Sequence, residues 1–291
     1  MNIFRFEVKE LQVLALRTDD DRIYALPHND FLAFVKEARR IGVSALEYAR
    51  QIARQNEPLK VRYDELHIKL PIEAQEVWAA GVTYERSREA RNYEAGKVTS
   101  SQAAVTVYDR VYEADRPELF LKSTPLRTVG PGEEMCLRTD SRWQVPEPEL
   151  GLVLDSDGTI LGYTIGNDLS SRDIEGENPL YLPQAKIWRR SCSIGPSIRL
   201  AEAVENPYDL TIICRIYRNG EPVVEGSIRT SQFKRKLEDL VAYLVRDNDL
   251  HAGTVLLTGT GIVPPDDFTL MSGDRVDITI PGIGTLSNPI H

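Results

Sequence analysis

The chain has 291 residues, 42 % hydrophobic and 27 % charged, a balance that supports a sizeable core and excludes a disordered polypeptide. Its 44 acidic against 35 basic residues give a formal charge of −9 with no block of Lys/Arg, which argues against nucleic acid or an anionic membrane as partner. Cys136, Cys192 and Cys214 lie far apart without CxxC spacing and read as buried, inert thiols. Nowhere does the chain hold the roughly 18 continuous apolar residues of a membrane span. The start "MNIFRFEVKE" lacks the charged segment and apolar run of a secretory leader, so a cytoplasmic protein is expected.

Between Asn2 and Tyr24 the alternating runs "IFRFEV", "QVLALR" and "RIYAL" predict a small antiparallel sheet. Asp30 is placed to cap an amphipathic helix in which Phe31, Phe34, Val35, Ala38, Ile41 and Val43 recur near helical spacing, continuing into "SALEYARQIARQ". Prolines and mixed charges in "NEPLKVRYDELHIKLPIEAQ" interrupt both periods, so this stretch reads as a connector. The domain boundary is placed near Leu70, dividing the chain into 1–70 and 71–291. A buried strand, "EVWAAGVTY", and a charged helix, "ERSREARNYE", follow. Beyond Arg116 the pattern turns mostly to strand, and Asn219-Gly220 between alternating arms marks a hairpin. One more helix is expected over "SQFKRKLEDLVAYLVRD", with Phe233, Leu237, Leu240, Val241 and Leu244 on one face. The sum is an α+β protein whose β-rich second domain carries a few packed helices.

Several chemistries lack their motifs: there is no GxSxG elbow, no GxxxxGK[ST] loop and no GxGxxG. His28, His67, His251 and His291 are scattered and read as surface or turn residues. Glu147 and Glu149 stand out. As residues i and i+2 of an extended segment they project to one face. Their carboxylates would sit roughly 7 Å apart or closer and repel by about 2 kcal/mol at an effective dielectric near 20. Pro146 and Pro148 fix the backbone around them. On its own the pair reads as a solvated loop. The downstream run "ILGYTIGN" changes that, because it ends in Asp168 and is joined to the first strand by a turn at Ser156-Asp157-Gly158. The resulting hairpin would bring Glu149 and Asp168 together, and three converging carboxylates suit Mg²⁺ or Mn²⁺. Lys186, set among Tyr181, Leu182, Ile187 and Trp188, needs an anionic partner. The hydroxyls and amides of "TGTG" (258–261) and "GIGTLSN" (282–288) are equally explained as turn chemistry.

Together these residues resemble the fumarylacetoacetate hydrolase superfamily. The resemblance rests on Glu147-x-Glu149, an aspartate nineteen residues on at Asp168, the following Lys186, and the late Gly284-Thr285-Leu286. Within it, "GVTYERSREAR", "DRPELFLKSTP", "VPEPELGLVLDSDGTILGYTIGND", "EGENPLYLPQAK" and "TGTGIVP" are similar to the 2-keto-3-deoxy-D-arabinonate dehydratase branch. The resemblance implies a small N-terminal α/β domain followed by a mixed β-sandwich roll that holds one Mg²⁺, with Mn²⁺ as a substitute, and self-associates as a dimer or tetramer. It places the metal ligands on Glu147, Glu149 and Asp168, substrate contacts on Lys186 and Thr285, a glutamate near the reacting carbons on Glu118, and a substrate-carboxylate contact on Arg88. One departure is informative. Carbon–carbon hydrolases of the superfamily carry a water-activating histidine and glutamate in G-x-N-Y-x-x-H-x-x-E, where this chain has Ser87 and Ala90, and the adjacent Glu89 would point elsewhere.

The expected activity is therefore Mg²⁺-dependent dehydration of a 2-keto-3-deoxy sugar acid, a pentonate of the D-arabinonate or D-xylonate type, to 2,5-dioxopentanoate in pentose degradation. Glu118 is the expected general base, and Lys186 stabilises the enolate oxygen or assists proton transfer. The main rival is a metal-dependent hydrolase of an acylpyruvate or diketo acid; a metabolite sensor and a metal-dependent decarboxylase are more distant ones. No partner other than the small-molecule 2-keto acid and further copies of the chain is expected.

Overall fold

The spine of the molecule is the hairpin formed by strands Pro148–Leu154 and Ile160–Asp168, in which Leu152 faces Tyr163 and Glu149 faces Gly166. The computed structural model describes residues 1–99 and 106–291. Both arms are buried along nearly their whole length, as expected of central strands covered on both faces. Alternation then divides their side chains: Leu150, Leu152 and Leu154 enter one core and Val153 the other. These arms sit inside an eleven-stranded sheet. A four-stranded sheet, Thr211–Arg218, Glu221–Arg229, Arg275–Ile280 and Gly284–Pro289, packs on one face together with helix Leu237–Leu244. Helices Phe31–Arg40 and Ala45–Gln55 cover the other. This is the α+β architecture read from the sequence, in the sandwich form that the family resemblance implies.

The N-terminal strands Asn2–Val8, Leu11–Arg17 and Ile23–Ala25 form the antiparallel meander read from their alternation. They extend the main sheet, since Asn2 pairs with Arg199 of strand Cys192–Leu200. The connector contributes a short strand, His67–Lys69, on the same strand Asn2–Val8. Residues before Leu70 therefore share the sheet while enclosing a small cluster of their own, with Phe4, Phe6, Ala15 and Ile23 at its centre.

Two helices differ from expectation. Asp30 does cap the first, accepting a bond from Ala33 N at 2.8 Å, but the helix stops at Arg40. Gly42 takes a left-handed φ of 75°, and Ser44 caps a separate helix by accepting from Glu47 N. The later helix is confined to Leu237–Leu244. Ahead of it Thr230 N donates to Leu210 O, and Lys234 N donates to Thr83 O, so this backbone is committed to neighbouring segments and not to a helical ladder. Among the described residues no helix is long and apolar enough to cross a membrane.

Candidate active site

Glu147 immediately precedes strand Pro148–Leu154, Glu149 lies within it, and Asp168 ends strand Ile160–Asp168. Asp168 N donates to Glu147 O at 3.0 Å, which locks the two strand mouths together. One carboxylate oxygen from each of Glu147, Glu149 and Asp168 lies within 4.8 Å of the others, and the three residues are only 4 %, 1 % and 1 % exposed. Gly259 N donates to Glu149 Oε2 at 2.5 Å. That approach requires glycine: its φ is +90°, and a Cβ there would meet Thr83 Oγ1 at 2.0 Å.

Burial pushes Glu149 well above the usual carboxylate range, reinforced by the charges of Asp168 and Glu147. Burial also raises Asp168, against the pull of Lys122. Glu147 goes the other way, because Lys186 and Arg91 outweigh its burial. Neither oxygen of Asp168 accepts a hydrogen bond of good geometry, although Lys122 Nζ lies 2.6 Å from Oδ1. Buried, under-satisfied oxygens on mutually repelling carboxylates fit a hard divalent cation, which takes oxygen ligands and relieves the repulsion.

A ring of cations surrounds the triad. Lys186 Nζ lies 2.8 Å from Glu147 Oε2 and bonds Ser170 Oγ at 2.6 Å, so the anionic partner sought from its apolar setting is Glu147. Arg91 Nη2 and Arg172 Nη2 reach Glu147 Oε1 at 2.6 and 2.8 Å. Both arginines also pair with Glu175. Lys122 is fully buried and, besides Asp168, bonds the carbonyls of Leu169 and Lys186. None of Lys122, Arg91, Arg172 and Glu175 was expected at the site. The signal for Lys122 was in the sequence: a lysine inside the apolar run "LFLK", two residues beyond Phe120 and four beyond Glu118, and hence on their face of strand Glu118–Ser123.

The cleft beside the triad is lined by Gly81, Arg91, Glu118, Phe120, Lys186 and Thr260, among others. Gly81 makes room for the Glu118 carboxyl, since a Cβ on it would fall 2.0 Å from Glu118 Oε2. Burial, aided by Glu175 and opposed by Lys186 and Arg91, pushes Glu118 up to about 7. The Lys186 ammonium is raised: burial works against its charge, but Asp168, Glu147 and Glu175 prevail. Arg88 is not brought to this cleft; it pairs with Glu85 at 3.3 Å and Asp109 at 3.8 Å and lies over the Tyr112 ring. Thr285 is also elsewhere, exposed on strand Gly284–Pro289 with its hydroxyl 2.8 Å from that of Thr279. Thr260 of the "TGTG" turn is the threonine in the cleft. Ser87 lines it too, but its hydroxyl donates to Tyr84 O at 2.7 Å and accepts from Tyr84 N, closing the first turn of helix Glu85–Thr99. Glu89 and Ala90 border a separate surface groove with Val223 and Pro264.

Residues 88–291 match the family model described as "Fumarylacetoacetate (FAA) hydrolase C-terminal". The chain is 47 % identical over 259 residues to the "Probable 2-keto-3-deoxyxylonate dehydratase" of Haloferax volcanii, covering 89 % of this chain and 86 % of that one. It is 44 % identical over 276 residues to the "2-dehydro-3-deoxy-D-arabinonate dehydratase" of Saccharolobus solfataricus, covering 94 % and 88 %. A solved structure of "2-keto-3-deoxy-D-arabinonate dehydratase complexed with magnesium and 2,5-dioxopentanoate" matches with a TM-score of 0.85 and 38 % identity, over 100 % of this chain and 98 % of that one. With a matching model spanning most of its length and relatives this similar over nearly all of theirs, the chain belongs to the fumarylacetoacetate hydrolase family.

Proposed function

We propose that the protein is a Mg²⁺-dependent dehydratase of 2-keto-3-deoxy-pentonates, of the D-arabinonate or D-xylonate type, forming 2,5-dioxopentanoate. The observation that carries this reading is the near full-length likeness to dehydratases at 47 % and 44 % identity. Glu147, Glu149 and Asp168 would hold the cation, which when bound supplies Lewis-acid polarisation of the 2-keto group. Glu118 removes the C3 proton, and a carboxyl raised to about 7 by burial is matched to accepting and releasing a proton near neutrality. The charges of Asp168, Glu147 and Glu175 favour the ammonium form of Lys186, which suits it to stabilise the developing enolate oxygen. The C4 hydroxyl then leaves as water with the proton that Glu118 took from C3, which restores the base, and the unsaturated product tautomerises to the 2,5-dioxo acid.

Charge supports a substrate with a single carboxylate. Among the described residues, four cations (Lys122, Arg91, Arg172, Lys186) and five carboxylates (Glu118, Glu147, Glu149, Asp168, Glu175) meet around the cleft. Adding a divalent cation turns an excess of one negative charge into one positive, which a sugar-acid monoanion neutralises. No attacking water is needed, in keeping with a Ser87 hydroxyl already engaged by Tyr84. As part of the same reading, the enzyme works as a homo-oligomer in pentose degradation, which the family resemblance supports, and it does so in the cytoplasm. Purified protein with Mg²⁺ should convert 2-keto-3-deoxy-pentonate to 2,5-dioxopentanoate, and formation of two carbon fragments would favour hydrolysis instead.

A further inference from the structure

Glu147 belongs to the carboxylate triad, yet among the described residues its two oxygens are already shared by three cations. Arg91 and Arg172 meet on Oε1, and Lys186 holds Oε2. The three cations differ in where they stand. Arg172 and Lys186 belong to the short helices Arg172–Glu177 and Leu182–Lys186, which follow directly from the strand carrying Asp168. Arg91 comes instead from helix Glu85–Thr99 and is the arginine of the pair that lines the cleft. It also has a second anchor, with Nε 3.2 Å from Glu175 Oε1. A guanidinium leaving Glu147 therefore retains a carboxylate partner within reach, whereas loss of Arg91 leaves Glu147 still held by two cations.

We infer that Arg91 is a positioning residue that competes with the divalent cation for Glu147. A substrate carboxylate in the cleft draws the guanidinium away from that oxygen, so the 2-keto acid and the metal ion bind with positive coupling through Arg91. The inference rests on the proposed reading only in taking the substrate to be a monoanionic 2-keto acid. By linkage the coupling is reciprocal: whatever factor the keto acid adds to metal affinity, the metal adds to keto-acid affinity. Direct chelation of the ion by the keto acid contributes in every variant, and Arg91 supplies the share that disappears with its side chain.

The test is calorimetric titration of metal-free protein with Mg²⁺, alone and in the presence of 2-oxopentanoate, a 2-keto acid with no 4-hydroxyl to lose. In Arg91→Gln, Mg²⁺ alone should bind about tenfold tighter than in the wild type. The additional gain from 2-oxopentanoate should shrink, and KM for the reacting keto acid should rise by a larger factor than kcat falls. Arg91→Lys keeps the charge but replaces the guanidinium fork, which reaches Glu147 through Nη2 and Glu175 through Nε, with a shorter single-headed ammonium. It should tighten Mg²⁺ severalfold while keeping KM within about threefold of wild type, and it carries the test alone if the glutamine variant does not fold. Unchanged or weaker Mg²⁺ binding in the variants, or a 2-oxopentanoate effect equal to the wild type's, overturns the inference. Failure of the wild type to dehydrate a 2-keto-3-deoxy-pentonate would count against the functional reading and leave the Mg²⁺ titration standing.

Discussion

Replacing Glu118 by Gln removes an ionisable proton acceptor while preserving shape, so it isolates the role assigned to this side chain. The space it occupies is tightly specified, with a Cβ on Gly81 falling 2.0 Å from its Oε2, so an isosteric amide fits where a bulkier group would not. Loss of a positioned general base lowers kcat by about 10²–10⁴-fold, or roughly 3–5 kcal/mol of activation free energy. KM should change little, because the cation and Lys186 remain. The pH profile provides a second signature. Burial and the neighbouring Glu175 raise the Glu118 carboxyl to about 7, so the base is increasingly protonated below that pH and activity climbs as the pH rises through it. One unit below its pKa only about a tenth of the base is ionised. A divalent cation in the triad opposes the effect of burial, so the acidic limb of kcat/KM falls at or below about 7. The assay is initial-rate measurement of 2,5-dioxopentanoate formation from pH 5 to 9 at saturating Mg²⁺. An Glu118→Gln enzyme with wild-type kcat, or one whose residual activity keeps the same acidic limb, would refute the assignment.

Further predictions follow from the same geometry. Gly81→Ala should cut kcat at least tenfold without lowering thermal stability much, because the new methyl displaces the Glu118 carboxyl; unchanged kcat would show that the carboxyl position does not matter. Lys122→Met should destabilise the metal-free protein by about 3–5 kcal/mol in urea unfolding, since it takes the nearer cation from the buried Asp168 carboxylate and leaves Lys186 at 3.7 Å; a loss under about 1 kcal/mol would contradict the pairing. Thr260→Val should raise KM while Thr285→Val leaves it near wild type, and the opposite order would mean that Thr285 reaches the substrate.

Much of the architecture was legible because its signals are local. Asn219 and Gly220 both take left-handed φ angles, 53° and 86°, at the tip of the hairpin their sequence announced. The meeting of Glu147, Glu149 and Asp168 was readable for the same reason: i, i+2 spacing and one hairpin register determine it. The cations around the triad were not. Lys122, Arg91 and Arg172 arrive from three separate elements, and only tertiary packing sets them against carboxylates more than forty residues away in the case of Lys122 and Asp168. The choice between Thr260 and Thr285 shows the limit clearly, since both follow a glycine in a Gly-Thr pair and only the path of the chain puts one in the cleft. The helix expected from Ser231 onward failed where Lys234 N bonds Thr83 O, a long-range partner that periodicity does not contain.

The central claim is that this cleft eliminates water from a 2-keto-3-deoxy-pentonate with a divalent cation held by Glu147, Glu149 and Asp168. NMR analysis of the products from both C4 epimers, with Mg²⁺ and after EDTA treatment, tests it most directly. The account predicts 2,5-dioxopentanoate as the single carbon product, its formation abolished by EDTA and restored by Mg²⁺. Two carbon fragments, or undiminished turnover in EDTA, would contradict it.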